Sequence, residues 1–218
     1  MSIRALLSQF GNEYLQALLM TYRLTFFAFA MALVIGIVIT VMRISPIKPL
    51  QYFGNFYVQV FRNIPGAALL IFLVYALPYL QVMLSYETCV LVAVTLIPAA
   101  FCSEYLMAGI NTISPGQIEA ARSLGMTFMQ MIRNVVLPQA LRSTVLQLTN
   151  LLVATLLTTA IASQVPRPME LTAIVSYINR YVVAGITPFV ISGFFYCATA
   201  VVIGQIGNAI DQKVRIMR

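Results

Sequence analysis

From Leu24 to Met42 the chain carries no charged residue. A run of that kind leaves few ways to fold, because crossing the hydrocarbon core of a bilayer takes about 20 predominantly apolar residues as a helix. Thr21 and Tyr22 extend this first candidate by a turn upstream. Four further intervals qualify: between Arg62 and Glu87, with Pro65 near its start and Pro78 near its end; Thr88 to Ala108, interrupted only by Glu104; Ser143 to about Val165; and a stretch within Tyr181 to Ile210. Hydrophobic residues make up 61% of the chain and charged residues 9%, against about 45–50% and about 25% in soluble domains. The expected class is an all-α polytopic membrane protein of about five transmembrane helices, forming a single transmembrane domain over residues 1–218.

The basic residues give this arrangement a direction. Only a tight connection around Gln81–Tyr86, free of Lys and Arg, separates the second and third spans, which therefore read as a membrane hairpin with its turn outside. Arg43, Lys48, Arg62, Arg122, Arg133, Arg142, Lys213, Arg215 and Arg218 then fall on one side, and Arg4, Arg23, Arg167 and Arg180 on the other. Cytoplasmic loops carry the excess of Lys and Arg, so this split places the N-terminus outside and the C-terminus in the cytoplasm. The first long apolar run follows Arg23, and so reads as a retained span and not as a cleaved leader. The connection Pro166–Tyr181, short and polar, is expected to form a brief surface helix at the outer face.

Several kinds of chemistry are excluded. There is no histidine, and Cys89, Cys102 and Cys197 each sit inside an apolar run. That argues against a zinc site or a His-based catalytic dyad, and no metal ligands are assigned. The net charge of +7 is spread thinly, with no basic helix or aromatic-interleaved patch for nucleic acid. No phosphate-binding G-x-x-x-x-G-K-[ST] loop occurs. The chain is expected not to be an enzyme and to bind no cofactor.

The apolar pattern breaks at SPGQIEAARSLGMTFMQMIRNVVLPQALRS, Ser114–Ser143. Ser114, Pro115 and Gln117 occupy the N-cap, N1 and N3 positions of a helix start. That helix stops at Gly125, and Thr127 with Gln130 starts another at once. Pro138 marks a bend before the fourth span. Neither short helix can cross a bilayer, and a short helix alone is marginal in water. Ile118, Ala121 and Leu124 are assigned to one face, as are Phe128, Ile132 and Val135. These faces pack on the spans, on a soluble partner, or on lipid as an interfacial amphipathic hairpin.

Within this break, Glu119-Ala120-Ala121, Gly125, Val135 and Leu137-Pro138 resemble the EAA loop of bacterial ABC-importer permeases, with Val135 in the place of that motif's isoleucine. FRNIP at Phe61–Pro65, YALP at Tyr75–Pro78, SEYLMAGI at Ser103–Ile110, GQIEAARSLGM and LPQALR at Leu137–Arg142 are similar to the polar amino-acid permease family in particular. The likeness is close over roughly Thr21–Ser163. It implies a type I ABC importer permease fold with a cytoplasmic coupling loop over 111–142. It also implies that the chain translocates a polar amino acid, driven by ATP and Mg used in a dimer of partner ATPases. A second permease subunit and an extracellular or periplasmic solute-binding protein complete the expected assembly. Gln117, Glu119, Ala120, Ala121, Gly125, Leu137 and Pro138 are the implied ATPase-coupling residues.

The chain departs from the family pattern in three places. Met107 stands where an arginine is usual, Val145-Leu146-Gln147 lacks a usual proline pair, and Leu157–Ile161 replaces a Lys-Asp-Thr-Ser-Leu run, keeping only Thr159. These losses favour pairing with a different sister permease over a homodimer. Arg62, Tyr75, Glu104, Gln147, Asn150, Thr155 and Thr159 are the candidates for a translocation path or gate. Glu104, an acid within a span, either faces a cavity or sits near the cytoplasmic end paired with Arg62 or Arg142. Thr155 and Thr159, one turn apart, either line a polar path or bond to backbone or a neighbouring helix. The alternative to a transporter is a membrane scaffold that recruits a cytoplasmic protein through the same hairpin but needs no polar route.

Overall fold

A computed structural model describes residues 2–214, and every regular element among them is helical. Arg215 and Arg218, counted above in the C-terminal tail, lie outside the described residues. Helix α1 spans Ile3–Ile44. Ser2 starts it by accepting the Ala5 N–H at 3.3 Å. Ser45, extended at φ −61° and ψ 145°, stops it, because a residue before proline is driven out of the helical region. The helix is kinked at Phe10, whose φ of −121° and ψ of 17° leave the helical range, and from Gly11 to Ile44 it runs about 50 Å at 1.5 Å per residue, more than the thickness of a hydrocarbon core. The expected start at Thr21 is therefore corrected. Polar Gln9, Asn12, Glu13 and Gln16 break the apolar run upstream of it, but Leu6, Phe10, Tyr14 and Ala17 form a helical stripe. That stripe is buried against the far end of the molecule.

The second span is also corrected. The loop expected before it is a helix, α2 (Lys48–Asn63), and the chain then bends by 102° into a half-span, Gly66–Leu80. Pro65 makes the break by holding Ile64 extended at ψ 126°. The half-span begins as α3 (Gly66–Ile71), widens into a π turn at Phe72–Ala76 and ends as a 3₁₀ turn at Leu77–Leu80. In the wide turn the Leu77 N–H donates to the Phe72 carbonyl, five residues back. That register accommodates Pro78, whose ring would clash with the carbonyl four residues earlier.

The remaining spans fall where the apolar runs place them: α4 (Tyr86–Ile110), α8 (Val145–Thr158) continued as a 3₁₀ turn to Gln164, and α10 (Thr187–Val214). Among the described residues four helices are long and apolar enough to cross a membrane, or five if the bent pair counts as one span. Helices α1 and α4 run parallel: Arg23 meets Glu87 at one end and Arg43 meets Glu104 at the other. Helices α8 and α10 run antiparallel, Thr159 beside Tyr196 and Thr149 against Gly207. One end of the bundle carries the Ser114–Ser143 hairpin, and the other carries the 166–186 connection.

That connection carries the brief helix expected of it, but one face of the helix is buried. Helix α9 (Ala173–Tyr181) has Ile174 and Ile178 fully buried, and Glu170 and Leu171 just before it are buried as well. Glu170 caps α9 by accepting the Thr172 and Ala173 N–H groups, both at 2.7 Å. Tyr196 of α10 donates its hydroxyl to the same carboxylate at 2.6 Å, and the Leu171 N–H donates to Thr21 of α1 at 3.2 Å. Burial pushes the Glu170 carboxyl above its usual range, against the pull of these donors. The polarity of the connection pointed to the surface, but Glu170 pins it inward.

Glu170→Gln should therefore cost about 1–3 kcal/mol, because the new amide sets an N–H group where only acceptors fit. A lower thermal unfolding midpoint of the purified protein, with α9 backbone amides exchanging faster, checks this. An unchanged midpoint would remove the pin from the account.

Candidate functional site

The polar break folds as expected at most points. Helix α5 (Pro115–Ser123) follows Ser114, which occupies the N-cap position but makes no capping bond. Gln117 instead accepts from the Gln139 side chain at 2.8 Å, tying the start of α5 to the far strand of the hairpin. Gly125 makes the turn at φ +72°, a left-handed conformation in which any side chain is strained. Thr127 and Gln130 form a reciprocal capping box, with the Gln130 N–H donating to Thr127 Oγ1 at 3.3 Å and the Thr127 N–H to Gln130 Oε1 at 2.8 Å. Helix α6 (Phe128–Met131) then runs through a second π turn, Ile132–Val136, into α7 (Leu137–Ser143). The Leu137 N–H reaches back five residues to Ile132, so Pro138 is accommodated as Pro78 is.

This hairpin does not rest on lipid alone. Ala121, Met131, Ile132 and Val136 form a buried cluster, and Val41 and Ile44 of α1 and Ile110 of α4 pack against it. Ile118, Phe128 and Val135 join its margin. Leu124 does not: it is 77% exposed. Steps of three residues drift by about 60° each around a helix of 3.6 residues per turn, and Leu124 lies at ψ 5°, past the last helical residue. Glu119 and Ala120 are exposed with it, so α5 buries Ala121 and presents Gln117, Glu119, Ala120 and Leu124 outward.

The residues proposed for a path fall into separate groups. Gln147 and Asn150 are both exposed on α8, three residues apart on one face, and Tyr75 is 56% exposed in the wide turn of the half-span. Thr155 and Thr159 depart from that set. Both are fully buried, donating to the Leu151 and Leu156 carbonyls at 2.7 Å. Each hydroxyl thus bonds to its own preceding turn, the second of the two arrangements expected for them, and Thr159 also lies 3.4 Å from the Tyr196 hydroxyl.

Glu104 sits near the hairpin end of α4 and pairs with two arginines, Arg43 at 2.8 Å and Arg62 at 3.1 Å. Arg62 was among its expected partners. Arg43 was missed, and so were the groups around it. The Arg43 guanidinium also donates to Asn55 on α2 at 3.0 Å and to Ser103 on α4 at 3.1 Å. The available clue was that Arg43 ends an apolar run just as Ser103-Glu104 interrupts one, at matching depths in parallel helices.

Known proteins share this architecture. A solved structure described as an amino acid ABC transporter with histidines superposes with a TM-score of 0.88 at 26% identity, covering 98% of this chain and 99% of that one. The inward-facing MetNI methionine ABC transporter superposes with a TM-score of 0.77 at 25% identity, covering 99% and 100%. The glutamate transport system permease protein GluC of Corynebacterium efficiens is 34% identical over 70% of this chain and 72% of its own length. The arginine transport system permease protein ArtQ of Bacillus subtilis is 28% identical over 92% of each chain. These relatives do not favour the scaffold alternative. Residues 32–216, from the last third of α1 onward, match the description "binding-protein-dependent transport system inner membrane component", and the chain belongs to that family.

Proposed function

We propose that this chain is the membrane-spanning permease subunit of an importer for a polar amino acid, driven by ATP hydrolysis in partner subunits. The observation that carries the reading is the seating of the hairpin. Its apolar side is buried on the ends of α1 and α4, while Glu119, Ala120 and Leu124 stand free on the opposite side. A dimer of cytoplasmic ATPases takes that free side, with Gln117–Gly125 as the coupling helix and Leu137-Pro138 as the joint to α8. Glu119 faces polar or basic groups of the ATPase. ATP and Mg belong to the ATPases, and this chain binds no cofactor.

In this assembly residues 1–218 form one permease domain in the cell membrane, N-terminus outside and C-terminus cytoplasmic. The hairpin, flanked by Arg122, Arg133 and Arg142, lies on the side that the positive-inside bias assigns to the cytoplasm. A second permease completes the path, and loss of the family's charged run at Leu157–Ile161 favours a sister subunit of different sequence. A solute-binding protein delivers the amino acid to the outer end, where α9 sits. Tyr75, Gln147 and Asn150 supply the polar wall of the route, with Arg62 and Glu104 at its inner end. ATP-driven closure shifts the population from one access state to the other.

Glu119→Lys should weaken association with the ATPase about tenfold or more, as charge reversal in an interface core does, and uptake should fall with it. Co-purification and vesicle uptake read the two effects, and wild-type values for both would overturn the coupling assignment. Asn150→Leu should leave ATPase association intact and lower uptake about two- to tenfold, the loss of one hydrogen bond of about 0.5–1.5 kcal/mol. Undiminished uptake would take Asn150 out of the route.

A further inference from the structure

Three segments meeting near the hairpin end are tied by one side chain. Arg43, in the last turn of α1, is 12% exposed at its side chain and engages all three guanidinium nitrogens. Nε donates to Asn55 of α2 at 3.0 Å and Nη1 to Ser103 of α4 at 3.1 Å, and Nη2 forms an ion pair with Glu104 at 2.8 Å. The second Glu104 oxygen takes Arg62 at 3.1 Å, one residue before the end of α2. The 102° bend into the half-span Gly66–Leu80 follows at once. Ser103 is itself held by the Thr40 hydroxyl at 3.1 Å.

A separate observation points the same way. Helix α2 reaches α1 because residue 54 has no side chain: a Cβ on Gly54 would lie 2.8 Å from Arg43 Cγ and 3.2 Å from the Ile39 carbonyl. Val58, one turn on, is fully buried. Helix α2 is thus held against α1 and α4 by both packing and charge. The half-span that leaves it is held on α4 by apolar packing, with Leu69, Leu70 and Leu73 buried in one cluster with Val90, Ala93 and Val94, and no ion pair among the described residues joins it.

We propose that Arg43 is the positioning residue of an inner hinge. Acting through Glu104 and Asn55, it fixes the angle of α2 across α1 and α4, so that movement of α4 turns the half-span Gly66–Leu80. Helix α4 ends at Ile110, five residues before α5 begins at Pro115, which makes it the direct route from hairpin to hinge. The geometry demands a planar fork with donors in three directions. A lysine keeps the charge but offers a single ammonium point that cannot hold Asn55, Ser103 and Glu104 together. The hinge rests on the transporter reading above.

The test is amino-acid uptake per ATP hydrolysed, measured on the assembled transporter in vesicles for wild type, Arg43→Lys and Asn55→Ala. With the hinge in place, Arg43→Lys lowers the ratio about tenfold, since charge-assisted contacts are lost, while assembly and basal ATP hydrolysis persist. Asn55→Ala lowers it about two- to threefold, and the double variant falls by less than the product of the two. A wild-type ratio in Arg43→Lys overturns the proposal, because a charge alone then suffices. If Arg43→Lys does not assemble, Asn55→Ala and Ser103→Ala decide: a lowered ratio in both supports the hinge and a wild-type ratio in both overturns it. A wild-type complex that hydrolyses ATP but moves no amino acid overturns the transporter reading and the hinge with it.

Discussion

In a bilayer the backbone must satisfy its own hydrogen bonds, because there is no water to do so. That constraint explains why the spans are helices, and it also explains where they break. Pro78 and Pro138 each sit just beyond a wide turn in which the residue before the proline donates five residues back. The backbone thus passes a missing donor without leaving the helix. Pro65 is different. It follows the extended Ile64 and divides the second span outright, and the divided span is the one whose halves meet at 102°. A break this sharp survives because α2 and the half-span are each packed on α4, which supplies the support that a continuous helix would give itself.

The same shortage of water orders the charges. An acid or base at the middle of a bilayer costs about 2.5–3.5 kcal/mol even on the gentler scales, and the described ion pairs stand towards the two ends of the α1–α4 pair. They are not equivalent. Arg23 and Glu87 are 56% and 39% exposed at their side chains, and an exposed pair contributes about 0–1 kcal/mol. Arg43 is enclosed, with every nitrogen engaged. Buried threonine hydroxyls of α1 turn back onto their own helix, Thr25 onto the Thr21 carbonyl and Thr40 onto the Gly36 carbonyl, while the Thr95 hydroxyl of α4 is buried without a hydrogen-bond partner.

Spans with long uncharged runs were legible from sequence, and α4, α8 and α10 lie within a few residues of the intervals that marked them. So was the hairpin, because capping residues, a positive-φ glycine and a proline are local signals that tertiary packing rarely overrides. What was not legible was anything carried by a stripe in place of a run. The first turns of α1 are helical because Leu6, Phe10, Tyr14 and Ala17 share a face, and a charge count cannot see a face. Helix α2 looked like a loop because Lys48, Gln51, Asn55, Gln59 and Arg62 dilute its apolar residues, although Gly54 and Val58 repeat at helical spacing. At the candidate site the same blindness left Thr155 and Thr159 open between a polar route and a backbone bond, and left out Arg43, Asn55 and Glu170, whose roles depend on partners 12 or more residues away or on depth of burial.

A hairpin this small has no stability of its own. Helix α5 has nine residues, too few to persist alone in water, and its position is set by Ala121 against Met131, Ile132 and Val136. Packed interiors of this kind resist compression and transmit displacement. A force applied to the exposed side of α5 therefore moves the cluster as a body and with it the ends of α1 and α4 that contact it. The Gly125 turn, which has no neighbour within reach of an added Cβ, is the compliant point, and the Gln117–Gln139 bond limits how far the two strands of the hairpin separate. Compliance at the tip and rigidity at the base together make the hairpin a lever.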